Sequence, residues 1–335
     1  MNDAVMRDSE QGDEPCCGNG DATPVVRISI ENLRLWKCIF KSVNNVVEGG
    51  AIALRIHEEK ITIRTFDKSH VSLLLLEMRC KIEGAGGAGS GGGDGGGGGG
   101  DGDSSYLLIL SAAKLHLKLN MPQEQNDLFL CYFPQNSSNN LYLHEEESAN
   151  CASFNRYKLT LLSDETVEDP RLPPPNQSFP FEIDLDVSIL RGILENASSL
   201  KNSERCDELS FVISQSKINP NEIINQIRMV VGMGGEDEFE RSFTTIHDGA
   251  NDARRIELDG PAMSRTQPVA EAPFRLALHA VFPVKHILDF IKPFEPQTVR
   301  LSLIKNSPLK LFYPLDKTGQ SYIQFHVAPR VNDDD

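Results

Sequence analysis

Phe66-Asp67-Lys68-Ser69-His70-Val71-Ser72-Leu73 breaks an alternating run, Ile61, Ile63 and Thr65, whose period of two reads as a half-buried strand. The polar centre reads as a tight turn, with Asp and Ser side chains bonding local amides. A second strand resumes over 70–78. Asp67 and His70 beside Ser69 also have the composition of an acid–base pair next to a hydroxyl, but Asp and Ser in such a break are ordinary turn chemistry. A second stretch belongs with the first: Ile323-Gln324-Phe325-His326-Val327-Ala328-Pro329-Arg330-Val331 reads as a terminal strand stopped by a proline. Asn332-Asp333-Asp334-Asp335 follows it.

The pattern around these stretches repeats. Val26, Ile28 and Ile30 alternate, and from Asn32 to Val47 apolar residues recur at helical spacing (Leu35, Ile39, Phe40, Val43, Val46, Val47). Strands at 51–56, 60–65 and 70–78 follow. The order returns with a strand over Phe179–Leu185, a helix over Ser188–Leu200 and a strand over 208–214. Asp186 or Ser188 can cap that helix. Two further helices are predicted at 111–120 and 283–292, the latter opened by Pro283. This is the signature of an α+β protein with a duplicated unit. The expected division is an acidic disordered leader (1–23), a first domain (24–162), a connector (163–178), a second domain (179–331) and an acidic tail (332–335). Pro173-Pro174-Pro175 marks the connector. Residues 84–103 hold fourteen of the 26 glycines and predict a flexible insertion in the first domain. Residues 232–266 are polar and charged and predict a second long loop.

Composition excludes several classes. With 48 acidic against 33 basic residues, the net charge is −15, which excludes a protein that coats nucleic acid with a uniformly basic surface. A converging set of lysines on one face is still allowed. Seven scattered cysteines, without a C-x-x-C pair, fit buried thiols rather than a disulfide framework or metal site. No apolar run has the length of a membrane span, and Met1–Glu10 lacks the apolar core of a signal peptide. The glycine run has no following Gly-Lys-Ser/Thr, so it is not read as a phosphate cradle. No nucleophile elbow or paired His motif is present. The chain is therefore not expected to be an enzyme or to need a cofactor.

Asp67–Leu73 and Ala328–Val331 resemble the eukaryotic and archaeal sliding clamps of the proliferating cell nuclear antigen (PCNA) family, which carry Met-Asp-Ser-Ser-His-Val-Ser-Leu and Leu-Ala-Pro-Lys-Ile segments side by side. Val167-Glu168-Asp169-Pro170-Arg171-Leu172-Pro173 resembles the family connector, Val-Glu-x-Leu-Gly-Ile-Pro. The resemblance implies the duplicated processivity-clamp fold, with outer antiparallel sheets and inner helices. It implies a partner-peptide pocket of Phe66, His70, Val71, Leu73, Val167, Leu172, Pro173, Pro308, Ala328 and Pro329. It implies a DNA channel lined by Arg34, Lys37, Lys41, Lys114, Lys118, Arg191, Lys285 and Lys292. The third helix departs from the pattern, with Gly192 and Glu195 at family arginine positions, and His326 replaces a frequent aromatic. Subunits of the family pair through edge strands, matched here by Asn155–Leu162, with Tyr157 at the interface, and by about 226–232. Lys217 aligns with a lysine modified by ubiquitin-like proteins.

The function so implied is that of a DNA polymerase processivity factor: a homotrimeric ring around double-stranded DNA in the nucleus, or in a viral replication compartment. Its partners would be DNA polymerase, an ATP-driven clamp loader and proteins bearing PCNA-interacting peptides. Two alternatives stand beside it. One is a checkpoint-type or viral clamp paralogue in a heterotrimer or as a scaffold; the other is a small-molecule enzyme with a Gly-rich loop.

Overall fold

The structure, a computed structural model, describes residues 24–84, 106–134, 140–146, 154–162, 167, 170, 179–199, 207–219, 222–233, 238–248, 254–258, 273–295 and 297–330. The expected leader, most of the glycine insertion, most of the connector and the acidic tail lie outside them.

The first half runs β1 (Val26–Ser29), α1 (Leu33–Val46), β2 (Ala51–Ile56), β3 (Lys60–Phe66), β4 (Ser72–Arg79), β5 (Ile82–Glu83), β6 (Tyr106–Ser111), α2 (Ala112–Leu119), β7 (Asp127–Phe133), β8 (Asn140–Glu146) and β9 (Phe154–Thr160). The second runs β10 (Phe181–Asp186), α3 (Val187–Ser199), β11 (Glu208–Asn219), β12 (Glu222–Val231), β13 (Phe239–Asp248), β14 (Arg254–Leu258), β15 (Arg275–Pro283), α4 (Val284–Ile291), β16 (Thr298–Leu303), β17 (Leu309–Pro314) and β18 (Tyr322–Val327). The halves match element for element, which bears out the expected α+β duplication.

Local chemistry sets the helix ends. The Asn32 side chain accepts the Leu35 N–H at 2.9 Å and caps α1. Buried Leu33, Trp36, Ile39, Phe40, Val43 and Val46 form its inner stripe. The helix stops where Glu48 and Gly49 turn left-handed (φ 49° and 78°) and the Gly49 N–H bonds back to the Asn44 carbonyl. Asp186 caps α3 by accepting the Ser188 N–H at 2.7 Å. Pro283 occupies the cap position of α4 rather than its first helical residue; there the chain is still extended, and the first free amide, Val284, donates to the Asp207 carbonyl.

The strands form three antiparallel sheets: β5-β1-β7-β8-β9, β10-β16-β17-β18-β4-β3-β2-β6, and β14-β13-β12-β11-β15. The middle sheet is shared. It is closed by β18 on β4, six antiparallel pairs from Tyr322↔Glu77 to Val327↔Ser72, so the two domains read from sequence share one sheet. The helices pack in the row α2–α1–α4–α3. A single apolar core joins Phe40, Leu74, Phe290 and Phe325 from both halves, with Phe290 stacked on Phe325 at 4.6 Å. No helix among the described residues is long and apolar enough to cross a membrane.

Two expectations are corrected. The polar segment 232–266 is not one loop: it contains β13 and β14, paired with each other from Phe243↔Leu258 to His247↔Arg254. Of the β13 side chains described, Phe239 to Thr244, Phe243 is the one fully buried, as suits a strand with one face on the core. The stretch about 226–232 is not an edge either. It lies in β12, which is hydrogen-bonded to β11 on one side and to β13 on the other.

Candidate functional site

The turn that decided the reading of the sequence is built as expected. Asp67 is 6% exposed; its carboxylate accepts the Ser72 N–H at 2.9 Å and the Ser69 hydroxyl. His70 adopts φ 57°, a left-handed residue that the turn geometry holds in place. Its ring stacks on Phe66 at 5.3 Å between centroids. The tail arrives alongside, with the Ala328 N–H donating to the Val71 carbonyl at 2.8 Å. Phe66, His70, Val71, Leu73, Ala328 and Pro329 are thus brought together. Pro308 is exposed on the β16–β17 turn. Val167 is half-buried and Pro170 buried, while Leu172 and Pro173 lie outside the described residues.

On the sheet face away from the helices, His326 stands opposite Leu73 and Lys310, and Leu73 and His326 are each 7% exposed. Burial, with the nearby Lys310 charge, pushes the His326 imidazole down to about 4. Its Nε2 is buried without a hydrogen-bond partner. This leaves a neutral ring where an aromatic residue was the family expectation.

Sequence reading missed His286. From α4, its Nδ1 lies 3.3 Å from both the Asp67 carboxylate and the Ser72 hydroxyl. The three residues line a cleft of about 220 Å³ with Asn45, Glu48 and Lys285. A Ser–His–Asp relay needs the two ring nitrogens to face opposite partners. Here one nitrogen serves both, and Ser72 is 1% exposed. The arrangement is a latch between the halves and offers no nucleophile. Among the described residues no group of three metal-ligating side chains converges.

The expected channel residues lie on the helix row. Arg34, Lys41, Lys114, Lys285 and Lys292 are exposed. Several are held by acids: Arg34 by Glu295 at 2.5 Å, Lys37 by Glu124 at 3.9 Å and Lys285 by Glu48 at 3.3 Å. Lys118 is half-buried. Arg191 points elsewhere: its guanidinium donates to the Phe294 carbonyl and ties α3 to the end of α4. A Cβ built on Gly192 meets nothing within 4 Å, so α3 presents bare backbone where the family has arginine.

The edges of the sheets complete the site. β9 has β8 on one side and, among the described residues, no strand on the other. Its Tyr157 is turned inward, its hydroxyl donating to Glu145 at 2.9 Å. Glu145 is 2% exposed. Burial raises its pKa, but bonds from the Gln123 N–H, Asn126, Asn155 and Tyr157 outweigh that and hold the carboxyl below its ordinary value. Tyr157 therefore braces the edge strand from within. Lys217 lies near the β11–β12 turn, opposite Ile223.

No protein-family model matches the sequence, and a search of curated proteins finds no match. Solved structures do match. PCNA from Entamoeba histolytica is 16% identical with a TM-score of 0.62, covering 92% of this chain and 100% of that one. The PCNA2–PCNA3 complex from Sulfolobus tokodaii is 14% identical with a TM-score of 0.57, covering 91% and 99%. A. fulgidus PCNA, solved with the C-terminal region of FEN-1, gives 14% and 0.57, covering 92% and 100%. The chain has the fold of the PCNA sliding clamps.

Proposed function

We propose that this protein is a sliding clamp: copies of the chain close into a ring around double-stranded DNA and hold replication and repair proteins by short peptides. The observation that carries the reading is an unmade junction. Within the chain, the ninth strand of the second half (β18) pairs with the fourth strand of the first (β4). The equivalent pair, β9 with β13, is not made within the chain. β9 ends its sheet, while β13 carries β14 along Phe243–His247. A head-to-tail junction of these two different strands generates a ring when the rotation closes, and closure covers the edge of β9, which would otherwise invite aggregation. Three copies are the number the resemblance implies.

The helix row would then face the hole. Phosphate contacts carry no sequence information, so Lys41, Lys114 and Lys292, repeated around the ring, suit a protein that must slide. A net charge of −15 is compatible with this because encirclement, not tight binding, retains the DNA. The pocket of Phe66, His70, Val71, Leu73, Ala328 and Pro329 would take the aliphatic or aromatic anchor of a partner peptide. DNA polymerase and an ATP-driven loader are the partners this role requires, and Lys217 is a candidate for modification.

Threading tests the reading without a loader. The assembled protein is allowed to pass over the free ends of a linear duplex, both ends are then blocked with bulky protein, and salt is raised. Retention that survives salt and is lost on cleaving the duplex is expected. Loss in salt despite blocked ends would show ordinary electrostatic binding and overturn the clamp.

A further inference from the structure

On β13, strand β14 occupies the place that β18 occupies on β4. β5, the short strand at the corresponding point of the first half, pairs with β1 and leaves β4 free for β18. The two halves therefore differ in one respect that bears on assembly. The fourth strand of the first half is open to its long-range partner, while that of the second half is covered by a strand from its own connection to β15.

We propose that β14 is a resident competitor for the edge that β9 of a second copy would fill, so that ring closure requires β14 to peel away. The inference rests on the clamp reading above. The ladder lengths support it. β13 spans Phe239–Asp248, and β14 opposes only Phe243–His247, so that among the described residues the four from Phe239 to Ser242 have no partner on that side. β9 has seven residues. A full antiparallel ladder with β9 cannot fit on four, so three or more of the covered positions must be released. β14 makes five residue pairs with β13, against ten between β12 and β13, so it is the strand more easily displaced.

Charge and shape at the open edges name the occupant. β9 presents exposed Arg156 and Lys158, while exposed Glu238 precedes β13 and exposed Glu240, paired with Arg228 at 3.2 Å, lies at its start. Opposite signs on two edges of the same chain favour a second copy. β14 brings Arg254 and Arg255 to the same strand, the sign that β9 would bring. Leu117 on α2, which packs beside β9, and Met121 just after that helix are 60% and 50% exposed, apolar area that a docked neighbour would cover.

Light scattering over a dilution series tests the proposal on three forms of the full chain: unaltered, Ile256→Pro, and one with residues 250–270 replaced by a short Gly-Ser linker. Proline at 256, opposite Thr245, removes an amide and disfavours strand pairing without touching β9 or β13. Both altered forms are expected to reach half-assembly at a concentration at least about tenfold lower, the equivalent of about 1.4 kcal/mol of lost competition. Equal assembly of all three would overturn the competition and leave the ring standing. Weaker assembly of the altered forms would make β14 part of the interface and overturn it too. Monomers throughout would remove the homomeric ring itself. Should both altered forms fail to fold, hydrogen exchange on the unaltered chain decides. Amides of 254–258 are expected to lose protection as the protein assembles, and retained protection would overturn the proposal.

Discussion

His326 is charged in the unfolded chain below its ordinary pKa of 6.5 and stays neutral in the fold down to about 4. Between those values the unfolded state binds the extra proton, so stability is present in full above about 6.5 and is lost as pH falls toward 4. The loss amounts to roughly 2–3 kcal/mol at the lower end. Substituting His326→Phe, the kind of aromatic the resemblance expects there, should flatten this part of the curve in denaturant titrations at pH 7 and pH 4.5. An unchanged slope would place the acid sensitivity on other groups. At this scale the sequence was legible where chemistry is local. The Asp67 turn was read from residue types alone because the bonds that shape it run to Ser69 and Ser72, close by in the chain. The role of His286 was not, because its partner Ser72 lies 214 residues away and no spacing rule connects them.

Helices were the most readable elements. Each is amphipathic, and Asn32, Ser111 and Asp186 mark three of their starts. The strands after 232 were not readable, since the sequence there is polar and charged and polar sequence on an outer sheet looks like loop. The bare face of α3 gives a prediction at this scale. Gly192 sits mid-helix with open space around it, so Gly192→Ala should stabilise the protein by about 0.5–1 kcal/mol through helix propensity alone. Gly192→Arg should keep most of that gain and also steepen the salt dependence of retention on unblocked DNA. A destabilised Gly192→Ala would mean that the α3 backbone is closely approached in the working assembly. Arg191 shares this helix, and its guanidinium donates to the Phe294 carbonyl, a direction set by tertiary packing.

For the whole molecule, the decisive relation is between the halves. The duplication was visible as a repeated order of strands and helices, whereas the pairing of β18 with β4 became legible only through resemblance. Long-range strand registry is fixed by packing and not by local pattern. On the proposed reading, that pairing, made once inside the chain between β18 and β4 and left to β9 and β13 of neighbouring copies, would turn a two-part fold into a unit of a ring. It also makes the strand-to-strand junction between copies the claim on which DNA encirclement, peptide recruitment and the role of β14 all depend. The most direct measurement is zero-length carboxyl–amine cross-linking of an equal mixture of light and heavy-isotope protein, read by mass spectrometry. The account predicts mixed-isotope links joining Lys158 on β9 to Glu238 or Glu240 beside and on β13, growing as β14 is removed. Assembled protein whose mixed-isotope links all lie elsewhere would contradict it.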